Sequence, residues 1–177
     1  MSLDDETRPA ARLTVLAGPS GAGRESVVEL VRARSPSVWR PIPVTTRPRR
    51  EGELDGVDRH FLTPEQFERR LAAGDLLEWS RFGAHRRGTE IAPLRSRIAA
   101  GVPVLLPLDL DGALLVRAAW PQARLVLLHP PGRMPVPTVT AAFDHAVSYD
   151  RTEQVVDELV GFIGSSFLAP ARPRLRG

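Results

Sequence analysis

Cysteine is absent from the 177-residue chain, and so are lysine and asparagine. Without cysteine there are no disulfides, no thiolate zinc sites and no thiol nucleophile. Without lysine there is no side-chain amine for a Schiff base and no compact ammonium to follow a phosphate chain. All 24 basic residues are arginines, set against 21 acidic ones. The net charge of +3, much of it in the tail, makes no case for nucleic-acid binding. Long apolar runs are missing too. The longest, VPVLLPL at 102–108, falls far short of the ~18 residues that a membrane span needs. The opening MSLDDETRPA is acidic and polar, so no secretory leader is expected, and a cytoplasmic location follows as the expectation. The four histidines, His60, His85, His129 and His145, lack metal-ligand spacing.

What is present belongs to an ordinary globular protein. Apolar residues make up 42% and charged ones 25%, which excludes intrinsic disorder, and the length suits one domain with a small insert. Leu13–Ala17 is a short, wholly apolar run that reads as a buried parallel strand. A glycine-rich turn follows, then a helix over Val27–Arg34. Further strands are expected at Pro41–Thr46, Leu76–Phe82, Val102–Leu108, Leu125–His129 and His145–Tyr149. Helices are expected from Pro64 to about Ala73, with a capping box at Thr63, and over Ile91–Ala100, Gly112–Ala119 and from Thr152 onward. Asp111 is the expected cap of the helix at Gly112. Residues 130–143, with four prolines, read as a loop.

The turn GPSGAGRES at 18–26 carries the chemistry. It follows the frame G-x-x-x-x-G-K-[ST], in which backbone N–H groups turn inward onto phosphate oxygens at a helix N-terminus. Gly18, Ser20, Gly21, Gly23, Arg24 and Ser26 are the candidate contacts to ATP phosphates. Arg24 stands where the frame has lysine, and offers a flat fork in place of a point charge. Glu25 stands where a hydroxyl would meet Mg²⁺. Ser26 keeps a hydroxyl one position later.

The segments GPSGAG, TTRPRREGE, DGVDRHF, LEWSRFGAHRRGT and LDLDG, in that order, resemble the guanylate kinases. The resemblance implies an α/β fold: a P-loop parallel-sheet core over 11–40 and 90–166, flanked by helices. It further implies a small α+β GMP-binding subdomain over 41–89 and a reduced lid at 130–143; the Arg/Pro-rich composition of 167–177 reads as a flexible tail. It places Arg47 and Arg50 on the GMP phosphate, and Glu78, Thr89 and Asp109 on the guanine base. Arg59 and Arg87 replace two phosphate-contacting tyrosines of the family, and Pro43 a nearby serine, so the pocket gains two cations.

On the ATP side the pattern departs from the family. Pro107 stands where an acidic residue is expected, and the 130–143 segment offers only Arg133. The resemblance therefore implies a guanine-nucleotide-binding protein with weak or absent ATP:GMP phosphoryl transfer, Arg24 being the altered catalytic cation. ATP is its cofactor if it is active, with Mg²⁺ weakly supported and Asp109 the one candidate ligand. Three alternatives stay open: a working guanylate kinase, a kinase of another phosphorylated sugar or nucleotide, and a phosphoprotein-binding module. No membrane partner is expected, and a homodimer or a protein partner stays open as the source of the missing groups.

Overall fold

The computed structural model describes residues 13–133, 136–150 and 152–165. Strand β1 (Leu13–Ala17) leads through the glycine-rich turn into helix α1 (Arg24–Arg34). Two short strands, β2 (Val44–Thr45) and β3 (His60–Phe61), precede helix α2 (Pro64–Ala72). A hairpin of β4 (Leu76–Phe82) and β5 (His85–Glu90) runs directly into α3 (Ile91–Ala99). The chain then passes through β6 (Val104–Leu108), α4 (Leu110–Ala119) and β7 (Arg124–His129). One helical turn, α5 (Pro137–Thr140), comes before β8 (His145–Ser148) and the last helix, α6 (Thr152–Ser165).

The core sheet has the order β6-β1-β7-β8, with every pair parallel. Side chains alternate across it. Leu16, Leu105, Val126, Leu128 and Val147 face α1 and α6, packing with Val28, Val31, Val155, Val156 and Leu159. Leu13, Val15, Leu106, Leu125 and Leu127 face the other way, onto Leu94 of α3 and Ala113 and Val116 of α4. Both faces are covered, which is why the strands read as unbroken apolar runs. Fully burying each such side chain is worth about 1.5–3 kcal/mol, and together they hold the C-terminal ends of the strands in place. Pro107 is tolerated in β6 because that strand lies at the sheet's edge, with only the bridge from Trp39 to Val104 outside it.

A second sheet, β3-β2-β5-β4, is formed within residues 44–90. Its β2–β3 pair is parallel and its other pairs antiparallel. The capping box of α2 forms as expected: Thr63 Oγ1 accepts from the Gln66 N–H, and Gln66 Oε1 accepts from the Thr63 N–H.

Three expectations need correction or limits. The 130–143 segment is not all loop: Pro137 sits in the first turn of α5, where its missing N–H costs nothing. Val139 and Phe143 around that turn pack on the core. The cap of α4 is Asp109, whose carboxylate accepts from the Gly112 N–H at 2.8 Å, while Asp111 lies inside the first turn. The tail at 167–177 lies outside the described residues.

Candidate functional site

The phosphate loop has the backbone that its glycines predict. Gly21 and Gly23 take positive φ, 84° and 67°, a region that costs residues with a Cβ. A Cβ on Gly18 would stand 3.1 Å from Leu128 Cβ, so glycine lets the loop lie against β7. Gly23 caps α1 without any side-chain hydrogen bond. Its first-turn N–H groups therefore point where an anion would bind.

The loop's side chains are already engaged. The Arg24 guanidinium donates to the Leu108 carbonyl at the end of β6. Burial and the nearby Arg87 hold it below the ordinary guanidinium range, with Asp109 and Glu25 acting in the opposite direction. Glu25 forms an ion pair with Arg40, which also reaches Glu29 at 3.1 Å. Ser26 is exposed.

Between the loop and the second sheet lies a cleft open to solvent. Its walls include Glu25, Arg40, Arg59, Glu78, Arg87 and Thr89. Glu78 on β4 and Thr89 on β5 are cross-strand partners, and both are buried, at 4% and 2% exposure. Thr89 Oγ1 donates to Glu78 Oε1 at 2.7 Å. Burial raises the Glu78 carboxyl above its ordinary range, opposed by the Thr89 hydrogen bond and by Arg87. Gly88 between them is required sterically, since a Cβ there would fall 2.8 Å from the Glu78 carbonyl oxygen.

Two groups of arginines flank this acid. Arg87 donates through Nε to Ser80 Oγ at 3.1 Å and through an Nη to Asp109 Oδ2 at 2.6 Å. Arg47 makes a two-pronged contact with Glu53, at 2.7 and 2.5 Å, and Glu53 also accepts from the Arg50 backbone N–H at 2.9 Å. These donors push the Glu53 carboxyl down to about 2. Arg59 approaches Glu53 at 3.8 Å. Burial first, then Arg47, hold Arg59 below the ordinary guanidinium range.

The structure therefore brings Glu78, Thr89, Arg59 and Arg87 together in one cleft, with Arg24 and Asp109 beside it. Arg47 joins through Glu53. Arg50 does not join: its side chain is exposed and only its backbone meets Glu53. Sequence reasoning misses Arg40, which lies outside every motif and reaches the cleft through the Trp39–Val104 bridge.

The residues do not fit a protein-held Mg²⁺. Pro107 has no donor, Glu25 is paired with Arg40, and Asp109 is committed to the helix cap and to Arg87. Among the described residues no group of three or more His, Cys, Asp or Glu side chains could hold a metal. Among them, too, no helix is long and apolar enough to cross a membrane.

Residues 10–159 match the guanylate kinase family model. The chain is 52% identical over 120 residues to a guanylate kinase of Thermobifida fusca, an alignment covering 68% of this chain and 61% of that protein. It is 53% identical over 119 residues to a guanylate kinase of Frankia casuarinae, covering 67% and 65%. The chain thus spans about three fifths of the length of the curated relatives it matches. The crystal structure of guanylate kinase from Anaplasma phagocytophilum has the same fold, with a TM-score of 0.68, 20% identity, and coverage of 89% and 86%. With the family model spanning the core sheet, the phosphate loop and the cleft alike, the chain belongs to the guanylate kinase family.

Proposed function

We propose that this protein binds GMP in the cleft between the two sheets, and that its reaction class is ATP:GMP phosphoryl transfer, slowed by its altered phosphate loop. The observation that carries the binding half is the buried Glu78–Thr89 pair facing a cleft rich in guanidinium groups. A carboxylate there accepts from guanine N1–H and N2–H₂, whereas adenine offers an acceptor at N1. Arg59 and Arg47 supply charge for the phosphate, with Glu53 holding Arg47 in position until a phosphate competes for it.

The reaction class rests on the relatives named guanylate kinase at 52% and 53% identity. That identity favours a second reading, an ordinary guanylate kinase. The slower rate is supported by the loop itself. Arg24 is turned onto the Leu108 carbonyl, Glu25 puts an anion beside the phosphate site, and Pro107 supplies no carboxylate. Phosphoryl transfer depends on positioning and charge neutralisation, so each of these changes acts on the barrier. ADP release with ATP, GMP and Mg²⁺ tests both halves. A slow, strictly GMP-dependent rate is expected; a rate within the ordinary kinase range establishes the second reading, and no GMP binding removes both.

A further inference from the structure

We infer that Arg87 is a base-reading residue, donating to the O6 edge of guanine beside Glu78; this rests on the guanine-nucleotide reading of the cleft. Its place in the family pattern, where a tyrosine meets the phosphate, points to a phosphate contact. Its surroundings here do not. Arg87 is anchored by Ser80 Oγ on β4 and by Asp109 at the start of α4. Both anchors lie on the side of the cleft that holds Glu78, whose strand packs against α4. The other cations, Arg47, Arg59 and Arg40, form a separate group around Glu53 and Glu25. Glu78 and Arg24 feel Arg87, and Arg59 feels Arg47 and Arg40, with Glu25 acting on both Arg24 and Arg59.

The donor and acceptor count fits one base. A guanidinium has five N–H donors, and Arg87 uses two of them, leaving three without an acceptor among the described residues. Arg87 lines the cleft, so those donors are available to a ligand. Glu78 Oε1 is taken by Thr89, while Oε2 lies close over Gly112, 3.4 Å from where a Cβ there would stand, with no hydrogen-bond donor of its own. Acceptor next to donor is the complement of guanine's N1–H and N2–H₂ next to O6. Arginine is also the side chain whose fork matches guanine O6 and N7. Adenine would turn its N6–H₂ donor toward Arg87. Pro43, also in the cleft wall, has neither a side-chain donor nor a backbone N–H to offer a base.

Asp109 acquires a different task from the one its position in the family implies. One oxygen caps α4 and the other holds Arg87. It is a positioning residue.

The test is calorimetric titration of the full chain and of Arg87→Met and Arg87→Lys with four ligands: GMP, guanosine, AMP, and 6-thioguanosine monophosphate, which keeps N1–H and N2–H₂ but carries sulfur, a weak acceptor, in place of O6. Wild type is expected to bind the 6-thio nucleotide about tenfold more weakly than GMP, the effect of weakening one hydrogen bond from a charged group. Arg87→Met should lose that discrimination, weakening GMP and guanosine by the same factor, and Arg87→Lys should restore part of it. Equal wild-type affinity for GMP and the 6-thio nucleotide overturns the assignment while leaving the guanine site standing. So does an Arg87→Met loss seen with GMP and absent with guanosine, which marks a phosphate contact. Wild-type binding of AMP as tight as GMP overturns the guanine site itself. Should Arg87→Met fail to fold, as judged by its melting curve, Arg87→Lys with the same ligands gives the comparison.

Discussion

Glu78 shows the conflict between stability and function at a single residue. Its carboxylate is useful to guanine only when ionised, yet burial makes ionisation costly. With the folded value raised above the unfolded one, the folded state binds more protons across that window. Stability therefore falls as pH rises from the ordinary carboxylate range through the raised value. Glu78→Gln removes this cost, so the unliganded variant is expected to melt higher than wild type at pH 7, by about 2–4 °C for each kcal/mol recovered. The same variant should bind GMP about tenfold to a hundredfold more weakly, with little change for AMP. Calorimetry and thermal melts on the two proteins check both directions. Glu53 has the opposite sign. Held at about 2 by Arg47 and the Arg50 N–H, it adds stability above its ordinary 4.5 that is lost as pH falls toward 2. Glu53→Gln should therefore show a shallower loss of melting temperature between pH 5 and pH 2 than wild type does.

At the scale of elements, the β4–β5 hairpin decides whether the site exists. Gly88→Ala would set a Cβ 2.8 Å from the Glu78 carbonyl oxygen and 3.2 Å from Trp79 Cβ, beside the proposed base readers Glu78 and Thr89. Overpacking of this kind costs about 1–3 kcal/mol, so denaturant melts should show that loss together with weakened GMP binding. A loss of binding with unchanged stability would mean that the hairpin yields locally. The hairpin also marks how far the sequence can be read. β1, β6 and β7 announce themselves because both faces are buried, and α2 because its capping box is local chemistry. The β5 segment, HRRGTE, has no apolar residue to reveal it, and is a strand because β4 pairs along its length and β2 pairs on its other side. The cap of α4 falls two residues before the expected one because Asp109 and Asp111 are chemically alike, and only the backbone tells them apart. Glu78, Thr89, Arg59 and Arg87 were legible as a constellation through motif resemblance. The pairings Arg24–Leu108, Glu25–Arg40 and Arg87–Asp109 were not, because each joins segments distant in the chain.

At the scale of the whole molecule, the cleft joins a phosphate loop that is self-engaged to the proposed guanine site at Glu78 and Thr89. A nucleotide triphosphate must displace the Glu25–Arg40 pair and turn Arg24 away from Leu108 before the loop can neutralise its charge. Turnover with ATP and GMP is accordingly expected below about 1% of the lower end of kinase rates, which run at 1–100 s⁻¹. The altered parts act together, so repairing one should recover little. Arg24→Lys with Glu25→Ser returns the cation and the hydroxyl, but leaves Pro107 without a carboxylate. Adding Pro107→Asp supplies that group at the end of an edge strand, where the change also restores a backbone N–H. The rate should rise more on the third substitution than the first two predict by addition. Equal, additive gains would show that the groups work independently. GMP affinity should stay within about threefold of wild type throughout the series, since none of these side chains is among those that read the base.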